Sequence, residues 1–362
     1  MSIRTSLVLA AIGLPCALAC APSAMAYDGY HLQSVLNVPS KGGAWDYVTM
    51  DPASGHVFVG HRKEGLQVFD MSAGKMLATI DKSEGSNAAT LMTEFDLGVS
   101  NNDNGTLTPF KLSTLAISAP VKLGEEIDTS HYDAFSKRLL VNMAAVGDSS
   151  DVMILEVPSL KVLGSIKLPS TKLEGGVANG KGTYYLAARD RNSLFTIDTA
   201  TMKMTAERKV EGCEQANSVD MDTTANRVFV TCRGKANAVA PVLAVVDAAS
   251  GKTVFTGEIG RGNDGVAYDA AAKRVITMNG VDAVMVVFEQ TDADHYKMIE
   301  AVGTRPSARS FGYDPKTRRV YTAVAEGAAD NSKNINTTVA PFYANTFTPD
   351  TFAVLTYAPS AR

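Results

Sequence analysis

The sequence predicts an all-β chain folded as a seven-bladed β-propeller, each blade a four-stranded antiparallel sheet and the ring closed by the N-terminal strand. Three observations carry this. A strand–turn–strand signature built around Asp recurs along the chain. A second signature, ending in Lys, follows it at a near-constant interval. The last unit lacks a strand that a surplus N-terminal segment can supply.

The first signature is an aromatic or apolar residue, Asp, three or four turn-formers, a basic residue and a β-rich run. It reads Met50-Asp51-Pro52-Ala53-Ser54-Gly55-His56-Val57-Phe58, and again Tyr132-Asp133 leading to Arg138-Leu139-Leu140-Val141. Met221-Asp222, Tyr268-Asp269 and Tyr313-Asp314-Pro315 begin three further copies. Asp accepts bonds from turn amides and Pro presets φ, so these aspartates read as turn residues rather than acid catalysts. The second signature is a β-branched run, an acidic residue and turn-formers ending in Lys. Val68-Phe69-Asp70 before Gly74-Lys75 and Val246-Asp247 before Gly251-Lys252 are the clearest cases. Its seven anchors (Phe69, Phe110, Leu155, Ile197, Val246, Phe288 and Thr356) recur at intervals of roughly 40–50 residues until a longer last one. A fourth strand follows each unit but the last, at Met76–Ile80, Ile117–Leu123, Val162–Leu168, Thr205–Val210, Val254–Ile259 and Tyr296–Val302. His31–Val38 fills the seventh place, and closure leaves no exposed sheet edge.

Residues 1–26 have the parts of a secretory signal: Arg4, an apolar stretch from Leu7 to Leu18, and a cleavage site at Ala24-Met25-Ala26. Cys16 and Cys20 raise a lipid-anchored alternative, but Ala17-Leu18-Ala19 fits an attachment box poorly. The expectation is a periplasmic or secreted protein cleaved after Ala26, with no transmembrane segment. Residues 27–362 then form one propeller domain, read as a monomer, with an insertion at about 326–350 in the last blade. Cys213 and Cys232 alone survive cleavage, an even pair in an oxidising compartment. A disulfide is favoured over a metal or redox pair, because no nearby His completes a site.

Charge is balanced, with 34 Lys+Arg against 38 Asp+Glu and a net charge of −4, so bulk-charge binding of nucleic acid is disfavoured. No His-Glu-x-x-His, Gly-x-Ser-x-Gly or P-loop pattern occurs. Function is expected in the loops that lead into each innermost strand, around the channel mouth. Candidate ligand-binding residues there are Trp45, Asp46, Asn87, His131, Arg189, Asn217 and Arg309. His131 is the one histidine placed to act as a base, and otherwise a polar rim residue. Glu174, Asn217, Asn263 and Asp264 are hard oxygen donors that fit a divalent cation such as Ca²⁺. Arg62, Arg189, Arg233 and Arg309 share this face with Trp45, an arrangement open to an anion or single-stranded DNA, with the Trp as stacking platform. The insertion, with Phe342, Tyr343 and Phe347, reads as a lid or docking element over the mouth or as a surface loop.

The Tyr132-Asp133…Arg138-Leu139-Leu140-Val141-Asn142, Tyr313-Asp314-Pro315…Arg319-Val320-Tyr321 and Val246-Asp247…Gly251-Lys252 segments resemble the YncE-like, YVTN-repeat family of exported seven-bladed propellers. The Cys213…Cys232 pair is similar to one in related exported propellers. The resemblance implies fold and compartment and, for a periplasmic relative, DNA binding, but no base-contacting motif matches residue by residue. Unit two lacks the Asp-Pro hairpin, and the insertion departs from the minimal pattern. The leading expectation is a non-catalytic binding or interaction protein whose partner is a periplasmic protein, a small ligand or single-stranded DNA. The alternatives are a metal-dependent, lactonase-like hydrolase and a propeller subunit or partner of a periplasmic oxidoreductase.

Overall fold

Each Asp signature folds as the hairpin its residues encode. Asp51 accepts the amide of Ala53 at 3.0 Å, Asp222 those of Thr224 and Ala225 at 2.9 and 3.0 Å, and Asp269 those of Ala271 and Ala272 at 3.0 and 2.9 Å. Four residues after each signature Asp the backbone enters the left-handed region, at Gly55 (φ +77°), Lys137 (+55°), Asn226 (+58°), Lys273 (+52°) and Arg318 (+59°). These carboxylates therefore hold tight turns. Blade 2, which lacks the signature, makes the same reversal with a 3₁₀ turn at Thr93–Phe95 and Asp96 at φ +51°.

This computed structural model describes residues 29–42, 45–235, 238–330, 332 and 344–360. The expected leader, with its cleavage site and Cys16 and Cys20, and Phe342 and Tyr343 of the insertion lie outside the described residues.

Blade 1 runs outward from the channel as Trp45–Met50, His56–His61, Gly65–Asp70 and Lys75–Thr79. Five blades repeat this order, with innermost strands Ser86–Met92, Ile127–Asp133, Leu173–Ala178, Ala216–Asp222 and Asn263–Asp269. Blade 7 is built from Phe311–Asp314, Arg319–Val324 and Ala353–Pro359, and its outer strand is Tyr30–Asn37 from the N-terminal side of the chain. The closing pair is antiparallel, running from Tyr30 opposite Pro359 to Asn37 opposite Ala353. The seven-bladed ring and its closure thus match the sequence reading, the closing strand lying one residue earlier.

Blade 2 departs most from expectation. Its outer strand shrinks to Val121–Lys122 plus one bridge between Phe110 and Ile117. Pro109 and Pro120 each remove an amide that a longer ladder needs.

The apolar core lies between blades. Seven clusters occupy the seven interfaces; at blades 4 and 5, for example, Tyr185, Ala187 and Leu194 pack on Val219, Val228 and Val230. Alternate residues of each strand serve alternate interfaces, so no blade has a core of its own.

Candidate functional site

The innermost strands of blades 1–6 share one irregularity. Pairing slips between Trp45 and Val48, Ser86 and Ala88, Ile127 and Thr129, Leu173 and Gly176, Ala216 and Val219, and Asn263 and Gly265. A bulge re-aims the side chain it carries. The residues so placed are Asp46, Asn87, Asp128, Glu174, Asn217 and Asp264. Arg309, just ahead of Phe311–Asp314, takes the seventh place. Together they form a buried polar ring at the loop end of the channel.

The ring divides into two arcs. Across blades 5, 6, 7 and 1 the groups form an unbroken relay. Arg233 donates to Asp264 Oδ1 at 2.7 Å, and Arg309 Nε lies 3.2 Å from Asp264 Oδ2. Arg309 also donates to Asp46 Oδ1 at 2.9 Å, and Arg62 donates to Asp46 Oδ2. Three guanidiniums thus share two carboxylates. Burial alone would raise the Asp264 carboxyl, but Arg233 and Arg309 outweigh it and hold that group well below the usual carboxylate range.

On the other arc, across blades 2–4, compensation is poorer. Lys172 donates to Asp128 at 3.0 Å and Arg189 to Glu174 at 2.6 Å. Burial raises both carboxyls despite Lys172, Glu174 to about 7. Asn87, fully buried, donates its Nδ2 to the carbonyl of Ile127 at 2.7 Å, while its Oδ1 has no partner. Asn217 does likewise on blade 5, donating to the carbonyl of Asn263 at 3.0 Å and to Asp264 at 2.9 Å, with its Oδ1 also unpartnered.

One and two residues further along each innermost strand, side chains and backbone from all seven blades line a cavity of about 200 Å³. Tyr47, Thr129, Ser130, His131, Tyr184 and Phe311 are among its walls. Asp264 belongs to both ring and cavity. The Tyr47 hydroxyl is raised well above its ordinary value, first by burial and then by Asp264, Glu174, Asp128 and Asp46. It therefore stands within the field of all four ring carboxylates.

Of the residues named from sequence, Asp46, Asn87, Glu174, Asn217, Asp264 and Arg309 are brought into the ring, with Arg189 beside Glu174. Two expectations need correction. Trp45 is only 3% exposed, its indole packed on Phe347 (ring centroids 4.8 Å) and Phe352 (5.8 Å), so it offers no open face to a base. Phe347, the described aromatic of the insertion, is itself half-buried. His131 is no base at the rim: it lines the channel, accepts the Ala178 amide at Nε2 (3.3 Å), stacks on Tyr184, and is lowered by burial to about 4. Of the four oxygen donors expected to hold a cation, Asn217 bonds to Asp264 at 2.9 Å and to the Asn263 carbonyl at 3.0 Å. Asn263 directs its amide to the carbonyl of Cys232 at 3.2 Å, Asp264 is held by two guanidiniums, and Glu174 pairs with Arg189. Among the described residues, no three His, Cys, Asp or Glu side chains group as metal ligands. Sequence reasoning missed Asp128, Lys172 and Tyr47. Asp128 stands at the bulge, the same place as Asp46 and Asn87, and that alignment was the available signal.

Cys213 and Cys232 are joined, with Cα atoms 5.3 Å apart. The bridge ties the loop leading to Asn217 to the strand end that carries Arg233, where the Arg233 amide donates to the Gln215 carbonyl at 3.0 Å. Among the described residues no helix is long and apolar enough to cross a membrane.

No family model matches the chain, and no curated protein matches it in sequence. Solved structures do match in shape. A chain of Kuenenia stuttgartiensis hydrazine synthase superposes with a TM-score of 0.66 at 13% identity, over 79% of this chain and 94% of that one. A chain from a mitotic checkpoint complex crystal structure superposes with a TM-score of 0.68 at 11% identity, over 88% and 96%. At these identities the likeness is one of fold: the chain is a seven-bladed β-propeller.

Proposed function

We propose that this protein is an exported, non-catalytic binding protein whose channel mouth takes a small ligand through an anionic group. The observation that supports this reading is the arc on which Arg62, Arg233 and Arg309 converge on Asp46 and Asp264. Planar guanidiniums suit carboxylate or phosphate oxygens, and their partial burial strengthens a charge-assisted bond. Arg62 and Arg309 keep 37% and 24% of their side chains exposed, so an incoming anion has access without unfolding a blade. The buried disulfide suits an oxidising compartment.

The test is calorimetric titration of the purified protein with propionate and inorganic phosphate at low salt. Saturable binding of at least one anion is expected, with a loss of about tenfold or more in Arg233→Gln and Arg309→Gln variants. Failure of both anions to bind would remove the reading. Retention on single-stranded DNA that survives in both variants would move the binding surface away from the channel mouth.

A further inference from the structure

We infer that the ligand is a small zwitterion, an amino acid or short amino-carboxylate, whose carboxylate meets the Arg233–Arg309–Arg62 arc and whose ammonium meets Asn87, Asp128 and Glu174. The inference rests on the anion reading above and adds the second pole. The ring is electrically lopsided. On one side three guanidiniums share two carboxylates. On the other, two buried carboxylates are each hydrogen-bonded by a single cation, and Asn87 Oδ1, like Asn217 Oδ1 on blade 5, has no donor. An orphaned buried acceptor costs the full desolvation of that group unless a donor arrives. An ammonium brings three donors and no acceptor, which suits an orphaned amide oxygen beside two carboxylates.

The cavity of about 200 Å³ lies beneath the ring and meets it at Asp264. The groups facing Glu174 are Lys172, Asp128, Arg233 and Arg189, with Tyr47 within reach of its charge. Burial raises its carboxyl to about 7. An ammonium beside it expels its proton, whereas a simple anion draws one in.

The experiment compares amino and des-amino pairs on the wild-type protein: L-alanine and β-alanine against propionate, and γ-aminobutyrate against butyrate. Titrations run at pH 7 in two buffers of different ionisation enthalpy. At least one amino-carboxylate is expected to bind about tenfold tighter than its des-amino partner. Its buffer dependence should report proton release. In Asp128→Asn and Glu174→Gln variants, checked for a cooperative thermal transition, the ratio of amino to des-amino affinity should fall towards one. Equal binding of amino and des-amino ligands, or proton uptake with both, overturns the zwitterion and leaves the anion reading standing. A preference unchanged in both variants overturns the placement of the amine. Failure of every carboxylate and of phosphate overturns the anion reading itself.

Discussion

Glu174 shows how one residue records the compromise in the ring. Its folded value of about 7 lies above the ordinary 4.5 because burial disfavours the charged form more than Lys172, Arg233 and Arg189 favour it. Between those values the folded chain holds a proton that the unfolded chain has lost. This term is therefore fully present below about pH 4.5 and is lost as pH rises to about 7. Asp220, raised to about 6 mainly by burial, acts in the same sense. His131, lowered to about 4, acts in the opposite one, losing stability as pH falls from 6.5. Comparing variant with wild type isolates the first contribution. Glu174→Gln should flatten the stability–pH curve between pH 4.5 and 7 by up to about 3 kcal/mol relative to wild type, read from urea unfolding midpoints across that range. The ring residues other than Asp128 were legible because polar side chains recur at the start of each innermost strand. Trp45 was misread because its cover, Phe347, lies some 300 residues away in sequence, and no local pattern reports such a partner.

Two local devices set the geometry at the level of strands and loops. The first is the repeated bulge, which no residue type announces; it shows only when the six innermost strands are compared in register. The strand periods and Asp turns were visible because alternation and turn chemistry are local, whereas the register slip emerges from pairing. The second device is the Cys213–Cys232 bridge, which closes a loop of 19 residues in sequence separation and steadies the strand end carrying Arg233. In chain-entropy terms such a loop contributes about 3 kcal/mol. The double variant Cys213→Ser/Cys232→Ser should unfold at correspondingly lower denaturant and lose anion affinity in the same titration. A variant with wild-type affinity would show that the bridge serves stability alone.

At the scale of the molecule, seven interfaces of similar apolar character and one closing strand make the ring. Tyr30–Asn37 buries little besides Tyr30, yet it pairs along the whole of Ala353–Pro359, and its first amide donates to Glu300 of blade 6 at 2.6 Å. Removing residues 27–38 should expose the edge of Ala353–Pro359 and lower stability on the order of 5 kcal/mol. Size-exclusion chromatography and thermal melting would then report aggregation or strand-swapped dimers. A monomer melting like the full chain would show that three strands suffice for the last blade.

The seam also fixes an order of events during synthesis. The strand that leaves the ribosome early has no partner until residues 353–359 follow, so the circle stays open while most of the chain is made. Blades 1–6 gather by contacts close in sequence, but the final clasp spans more than three hundred residues and waits for the last of them. In a chain of this design the seventh blade is the last to gain its full set of strands, whatever the order in which the other six form.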